Sequence, residues 1–305
     1  MADNRSETSP HASVTVIGLG PMGLALAETL LRNGHPTTVW NRSPEKADSL
    51  VAKGARRAET AAEAISASAV TVVCLKDYAT MYAVFDSAGD ALKGRALVNL
   101  NSGTPNDARA ASRWAAGRDV TYLDGAIMVP PPLVGHPESV SLYSGAQHVF
   151  DEHRTTLASL GDPRYLGPDP TLAVLYNTAL LDLMYATMNG FLHATALVGS
   201  ANVPAAEFAG LALDWFMPTV VNATLTEHAP ALDRGDYPGD AGTIKMNLHA
   251  LDHLTRTCVE QGIHADQPQL MKAIAEQAIA QGHGGKNYLA VHEVFKQPSQ
   301  SRRPS

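Results

Sequence analysis

Short apolar runs of β-branched residues alternate with stretches of helical period through the first half of the chain. Residues 13–17 form such a run, and it ends at Gly18, the pattern of a strand feeding a tight turn. Residues 22–33 follow with helical period, closed by Gly34. A second strand is predicted at residues 37–40. Ser43-Pro44 then sets an N-cap residue before a proline at the first helical position. Further strands are predicted at residues 70–75, 96–100, 122–126 and 140–144, with a helix opened by Thr104-Pro105. Strands separated by helices at this spacing predict an α/β fold built on a doubly wound parallel sheet.

The pattern changes after Gly161. The cluster Gly167-Pro168-Asp169-Pro170 breaks the chain, with Asp169 and Pro170 suited to start a helix. Residues 171–198 are strongly apolar, free of proline, and contain one glycine, Gly190. Asn177, Asp182, Asn189 and His193 interrupt this run and no basic flank follows it, so a long helix buried on most sides is expected rather than a membrane span. Everything beyond it reads as helical, which predicts an all-α second half. A helix this apolar needs more cover than one small domain offers, so dimerisation through the helical half is expected. The predicted organisation is a disordered tail at 1–12, a nucleotide-binding domain at 13–168, a helical domain at 169–296 and a disordered tail at 297–305.

Composition narrows the class. Of the 305 residues 45% are apolar and 17% charged, as in a well-buried globular protein. A formal net charge of −7 argues against a general nucleic-acid binder, which carries a basic stripe. The two cysteines, Cys74 and Cys258, lie far apart, which points away from a disulfide framework or a zinc site and towards a reducing cytoplasm. The first ten residues have no apolar signal-peptide core. His249 and His253 are four apart but lack a partnering carboxylate motif, and no metal site is expected.

Gly18-Leu19-Gly20-Pro21-Met22-Gly23 fits the GxGxxG pattern where its mechanism requires it, between a strand and a helix. The first glycine permits the tight turn, the second lets a pyrophosphate approach the backbone, and the third lets the helix pack on the strand. The phosphates then meet the positive end of the helix dipole. The end of the second strand selects the nucleotide. An NAD site places Asp or Glu there for the ribose hydroxyls. Here the residues are Asn41, Arg42 and Ser43, with Lys46 one turn on. Arg42 can clamp a 2′-phosphate and Lys46 adds charge, so NADPH is the expected cofactor.

In chain order the motifs resemble those of the imine reductases and reductive aminases, a branch of the β-hydroxyacid dehydrogenase superfamily. The matching segments are residues 16–23, residues 39–46, the Val98-Asn-Leu-Asn-Ser-Gly-Thr-Pro105 run, residues 122–131 and residues 142–145. The resemblance implies a Rossmann domain, a long interdomain helix and a helical domain that interlocks in a homodimer. It implies an active site between one subunit's Rossmann domain and the other's helical domain. It places Cys74 and Leu75 on the nicotinamide side, Asn99, Asn101 and Thr104 near the nicotinamide ribose or the substrate, and Asn101 in the substrate pocket. Asn247 matches a pocket position supplied by the partner subunit and Met246 shapes the same wall, with ordinary helix packing or a surface amide as the alternative for either. Trp215, with Phe216 and Met217, forms a cluster that either lines the pocket or packs in a core.

The sequence also bears on the reaction. Hydroxyacid dehydrogenases of the superfamily use a lysine on the interdomain helix as base, and this chain has no lysine between Lys93 and Lys245. The carboxylate-binding glycine-rich loop of those relatives is replaced by an apolar stretch with Met128 and Val129, which suits an uncharged or cationic amine-like substrate. Many imine reductases carry aspartate where this chain has Asn177, and others tyrosine. Asparagine has no titratable proton and can only orient or hydrogen-bond a nitrogen. Tyr185 stands two turns further along, at about 80° of drift, and is the leading donor or orienter. Asp182 points about 140° away from Asn177 and reads as a helix–helix polar contact. The expected activity is hydride transfer from NADPH to the carbon of a cyclic imine or iminium, giving an amine. A β-hydroxyacid dehydrogenase-type alcohol oxidoreductase and a non-catalytic NADPH-binding sensor are the alternatives.

Overall fold

The computed structural model describes residues 11–298. The tails expected at 1–12 and 297–305 therefore fall almost entirely outside the described residues. Two compact units divide at Met184/Tyr185, with the longest helix carrying the chain from one to the other.

The first unit is an eight-stranded sheet in the order β3-β2-β1-β4-β5-β6-β7-β8. Its strands are β1 (Val14–Ile17), β2 (Thr37–Trp40), β3 (Arg56–Arg57), β4 (Val70–Val73), β5 (Ala96–Asn99), β6 (Thr121–Ile127), β7 (Val140–Gly145) and β8 (Asp162–Tyr165). The order reverses at β1, beside β4, the switch point where such sheets bind ligands at the carboxyl ends of their strands. The central strands β1 and β4 are buried at every position, which explains their unbroken β-branched sequence. Helices α1 (Pro21–Arg32), α2 (Asp48–Val51, continuing a 3-10 turn), α3 (Ala61–Ser66), α4 (Tyr78–Ser87) and α5 (Pro105–Ala116) follow successive strands. Two cores result. One contains Val16, Leu26, Val39 and Val72, the other Ile17, Phe85, Leu97 and Ala111.

Two features depart from the expected parallel sheet. β7 runs antiparallel to β6, pairing Asp124 with Ser144 and Ile127 with Ser141. The connection between them contains one 3-10 turn, Pro131–Leu133, and no α-helix, whereas a parallel return usually runs through a crossover helix. β3 and β8, at the two edges, are short and polar and carry no apolar alternation to announce them. β8 follows α6 (Gln147–Glu152) and α7 (Arg154–Ala158).

Helix α8 (Leu172–Gly199) begins where the breaker cluster placed it, with Asp169 accepting hydrogen bonds from the Thr171 amide and hydroxyl. Its first turn docks on the sheet through the Ala173 amide, which donates to the Ser144 hydroxyl at 2.9 Å. Burial on most sides was expected. Within this chain only Ala173 and Val174 are buried, and residues 178–189 are exposed at every position.

The second unit is helical throughout, as expected. It holds α9 (Ala205–Leu211), a π-helical stretch Ala212–Asn222, α10 (Ala223–Arg234), α11 (Ile244–Glu260), α12 (Asp266–Ala278) and α13 (His292–Phe295). Pro218 lies inside the π segment, where its missing N–H cannot close an α-helical bond. The unit's own core is small, built around Tyr237, Ile244, Ala275 and Ala290. Among the described residues no helix is long and apolar enough to cross a membrane.

Candidate active site

The three glycines of the first loop behave as their spacing requires. Gly18 has φ of +96°, and a Cβ there would lie 2.2 Å from the Cys74 carbonyl oxygen. A Cβ on Gly23 would lie 1.9 Å from the Gly18 carbonyl oxygen, so only glycine lets α1 approach β1. A Cβ on Gly20 would meet nothing within 4 Å, because this residue faces an open groove. Gly20 is the N-cap of α1, no side chain caps the helix, and its first turn has no acid. The helix end is thus available to a pyrophosphate.

The groove has a volume of about 650 Å³ and runs from Gly18–Gly23 past Asn41, Arg42, Ser43 and Lys46, and along Cys74 and Leu75. Asn41 ties its two rims together, accepting from the Leu19 amide at 3.0 Å and donating to the Ser43 carbonyl at 3.1 Å. Neighbouring cations are engaged elsewhere, Lys53 with Glu28 and Arg57 with Asp48, whereas among the described residues Arg42 and Lys46 carry no ion pair. Size, free helix N-terminus and cationic end fit a phosphorylated dinucleotide. The sequence reading missed Lys76 and Thr80, which close the groove at the start of α4; no local motif marks them.

A second cavity, about 250 Å³, shares Met22, Cys74 and Leu75 with the groove. Asn101, Gly125, Ile127 and Asn177 stand among its remaining walls, and no ionisable group other than the Cys74 thiol lines it. Burial pushes that thiol up to about 11, which keeps it neutral. Asn101 accepts from the Leu75 amide at 2.5 Å, and its Nδ2 is buried without a partner. A buried amide donor with nothing to bind is costly unless a ligand takes it.

Beneath this cavity lies a polar cluster that the sequence reading did not assign. Asp124 on β6 is fully buried, and its Oδ2 accepts from Tyr122 Oη at 2.5 Å, Tyr78 Oη at 2.9 Å and Asn99 Nδ2 at 3.2 Å. Asn99 Nδ2 also donates to Tyr122 Oη, and Asn99 Oδ1 accepts from the Asn101 amide at 3.3 Å. Burial raises the Asp124 carboxyl to about 6, against the pull of its donors. The segment was legible as a fingerprint of the family, but nothing local shows that Tyr78, 46 residues away, meets this carboxylate.

Several expected site residues have other local duties. Asn99 spends its amide on the cluster and lines neither cavity. Thr104 is the N-cap of α5 in a capping box with Asp107. Met128 and Val129 follow β6, and Ile127 rather than either of them lines the smaller cavity. Asn177 does reach that cavity from α8. Tyr185, Trp215, Met246 and Asn247 belong to the second unit. There Tyr185 is 59% exposed and Trp215 53%, so neither packs in a core of this chain. Asn247 donates to the Thr243 carbonyl at 2.9 Å. Among the described residues no three His, Cys, Asp or Glu side chains are grouped to hold a metal.

Residues 13–167 match the family described as the NAD-binding domain of 6-phosphogluconate dehydrogenase, and residues 169–297 the NADPH-dependent reductive aminase-like C-terminal domain. An NADPH-dependent reductive aminase from Aspergillus oryzae is 35% identical over 286 residues, covering 93% of this chain and 97% of that protein. An imine reductase structure from Bacillus cereus superposes with a TM-score of 0.88 at 38% identity, covering 94% of this chain and 99% of the other. A reductive aminase from Aspergillus terreus, in complex with an NADPH-type cofactor, cyclohexanone and allyl amine, gives 0.84 at 38% identity, covering 93% and 99%. With a dinucleotide groove opening on an uncharged, amide-lined cavity and this likeness along nearly its whole length, the chain belongs to the imine reductase and reductive aminase family.

Proposed function

We propose that this protein is an NADPH-dependent oxidoreductase that reduces a cyclic imine or iminium to an amine. The observation that carries the reading is the meeting of groove and cavity at Met22, Cys74 and Leu75, with amides and apolar groups but no lysine among the residues that line the cavity. When bound, the reduced nicotinamide supplies the hydride. The chain's own part is to bind, orient and exclude water. The Gly18–Gly23 loop and α1 N-terminus hold the pyrophosphate, and Arg42, Ser43 and Lys46 hold the 2′-phosphate.

Asn101 Nδ2 finds its missing acceptor in ligand bound at the junction. Asn177 orients the substrate nitrogen, and Tyr185 donates a proton to it or fixes its direction. Rate then comes from position and a preorganised electrostatic environment. An alcohol oxidation would need a base that the cavity wall does not offer.

The site is completed by a second copy of the chain. Twelve consecutive exposed positions on α8, residues 178–189, include Leu180, Leu181, Leu183, Met184 and Met188, and an apolar surface of that length calls for a partner. Trp215, Met246 and Asn247 are assigned to the pocket wall of that copy. The two free cysteines suit a cytoplasmic setting.

Paired assays test the reaction. NADPH is expected to be consumed with 2-methyl-1-pyrroline, and NADP+ not to be reduced with 3-hydroxyisobutyrate. Turnover of the hydroxy acid alone would overturn the reading. Binding of NADPH without turnover of any imine in a broad panel would point to a sensor.

A further inference from the structure

A carboxylate buried without a cation needs a physical reason. Desolvation alone disfavours its ionised form, and a buried charge is ordinarily paired. Asp124 is 0% exposed, yet no Lys, Arg or His is among the groups that act on it. Among the described residues no side-chain donor reaches its Oδ1. Three neutral donors instead converge on Oδ2, and the Gly125 backbone also favours the charged form. The arrangement holds a negative charge in place without neutralising it.

Its position gives that charge a target. The residue after Asp124, Gly125, is a wall of the smaller cavity, and Asn99, bonded to Asp124, accepts from the backbone amide of Asn101, another wall. Tyr78 binds the carboxylate through its hydroxyl while its ring packs on Gly103, where a Cβ would lie 2.4 Å from the ring edge. On the neighbouring strand Ser144, paired with Asp124 in register, anchors the first turn of α8, the helix that brings Asn177 to the cavity. One row of polar side chains across β5, β6 and β7 thus fixes the Asn101 loop, the start of α4 and the start of α8. Nothing in the cavity wall itself bears a formal negative charge.

We infer that Asp124 is a positioning residue of the reductase site, a buried anion that fixes the Asn101 loop through Asn99 and Tyr78 and supplies the negative potential that a cationic C=N group needs in an uncharged cavity. The inference rests on the imine-reduction reading and adds to it the countercharge. The substrate cation completes the pairing that the protein leaves open, so the cost of burying the carboxylate is offset when iminium binds and when its charge is held before hydride arrives. The groups facing Asp124 are Tyr122 on its own strand, Asn99 on β5, Ser144 on β7, and Tyr78 with Tyr82 on α4; Asp107 of α5 acts on Tyr82 in turn. None of them is a cation. Burial raises both Tyr78 and Tyr122 above the usual phenol range, so they stay protonated donors while Asp124 titrates.

The test uses a permanently cationic N-methylated cyclic iminium, which cannot lose a proton, with saturating NADPH. Turnover by the wild-type enzyme establishes the underlying reading, independently of the variants. Wild-type kcat/KM for the iminium is then expected to rise with pH through about 6, as Asp124 ionises before the cation binds. Asp124→Asn should bind NADPH within about twofold of wild type, lose roughly tenfold or more in kcat/KM, and lose the acid limb. Tyr78→Phe keeps the ring on Gly103 but removes one donor, so its acid limb should move to higher pH. This second variant decides the matter if Asp124→Asn does not fold. An acid limb that persists in Asp124→Asn, or kcat/KM within twofold of wild type there, would overturn the inference. So would an acid limb that stays in place in Tyr78→Phe.

Discussion

The sheet unit and the helical unit solve the burial problem differently. In the first, two layers of helix cover a sheet whose central strands are sealed at every position, and apart from its part of α8 its apolar sequence is largely buried within the chain. In the second, a modest core around Tyr237 and Ile244 leaves Leu192, Leu211, Trp215, Phe216 and Met246 in the open, besides the middle of α8. A nucleotide-binding sheet is a finished object. The helical unit keeps a large apolar surface exposed within the single chain, the kind of surface that a partner covers.

Four experiments break or sharpen that contrast. The largest effect is expected at Gly18→Ala, which puts a Cβ 2.2 Å from the Cys74 carbonyl oxygen on a backbone with φ of +96°. A loss on the order of 4 kcal/mol of stability should appear in denaturant melts of the sheet unit, with NADPH fluorescence titration failing. Leu183→Asp, at a site 58% exposed in the single chain, should instead leave the nucleotide groove intact. If a second copy covers α8, the buried charge should weaken dimerisation by about 3 kcal/mol, more than a hundredfold in Kd. Light scattering would show monomers and imine turnover would collapse, whereas unchanged mass and activity would remove the case for the interface.

Arg42→Ala acts within the finished unit and should touch only the cofactor's phosphate. The KM for NADPH is expected to rise roughly tenfold to a hundredfold, about 1.5–3 kcal/mol, with the KM for NADH little changed. Thr104→Ala gives the smallest effect. Its hydroxyl caps α5 rather than facing a cavity, so the substitution should cost about 1 kcal/mol in a thermal melt and leave the KM for NADPH as it was. A change in that KM would return Thr104 to the site.

Much of the first unit was legible because its signals are local. Strand β1, its glycine turn and α1 are written in one unbroken stretch of chain, and Arg42 in place of an acid names the phosphate before any fold is known. The start of α8 was equally plain, since Asp169 and the flanking prolines act on adjacent backbone. Asn99 and Thr104 show where such reading stops. Both belong to a motif that points to the site, yet one side chain turns to Asp124 and Tyr122 and the other to its own helix end. Motif membership fixes proximity, but not the direction of an amide or hydroxyl.

The sequence by itself determined the alternation of strands and helices, the dinucleotide loop, the preference for a 2′-phosphate and the absence of an amine base between Lys93 and Lys245. These follow from neighbours within a few residues, where backbone sterics, helix dipoles and residue type act directly. Only the tertiary structure decided that β7 turns back antiparallel, that Ile127 rather than Met128 reaches the cavity, and that Asp124, Tyr122, Tyr78 and Asn99 share one buried cluster. Those outcomes depend on strand register and on contacts across 25 to 46 residues, which no short window of sequence contains.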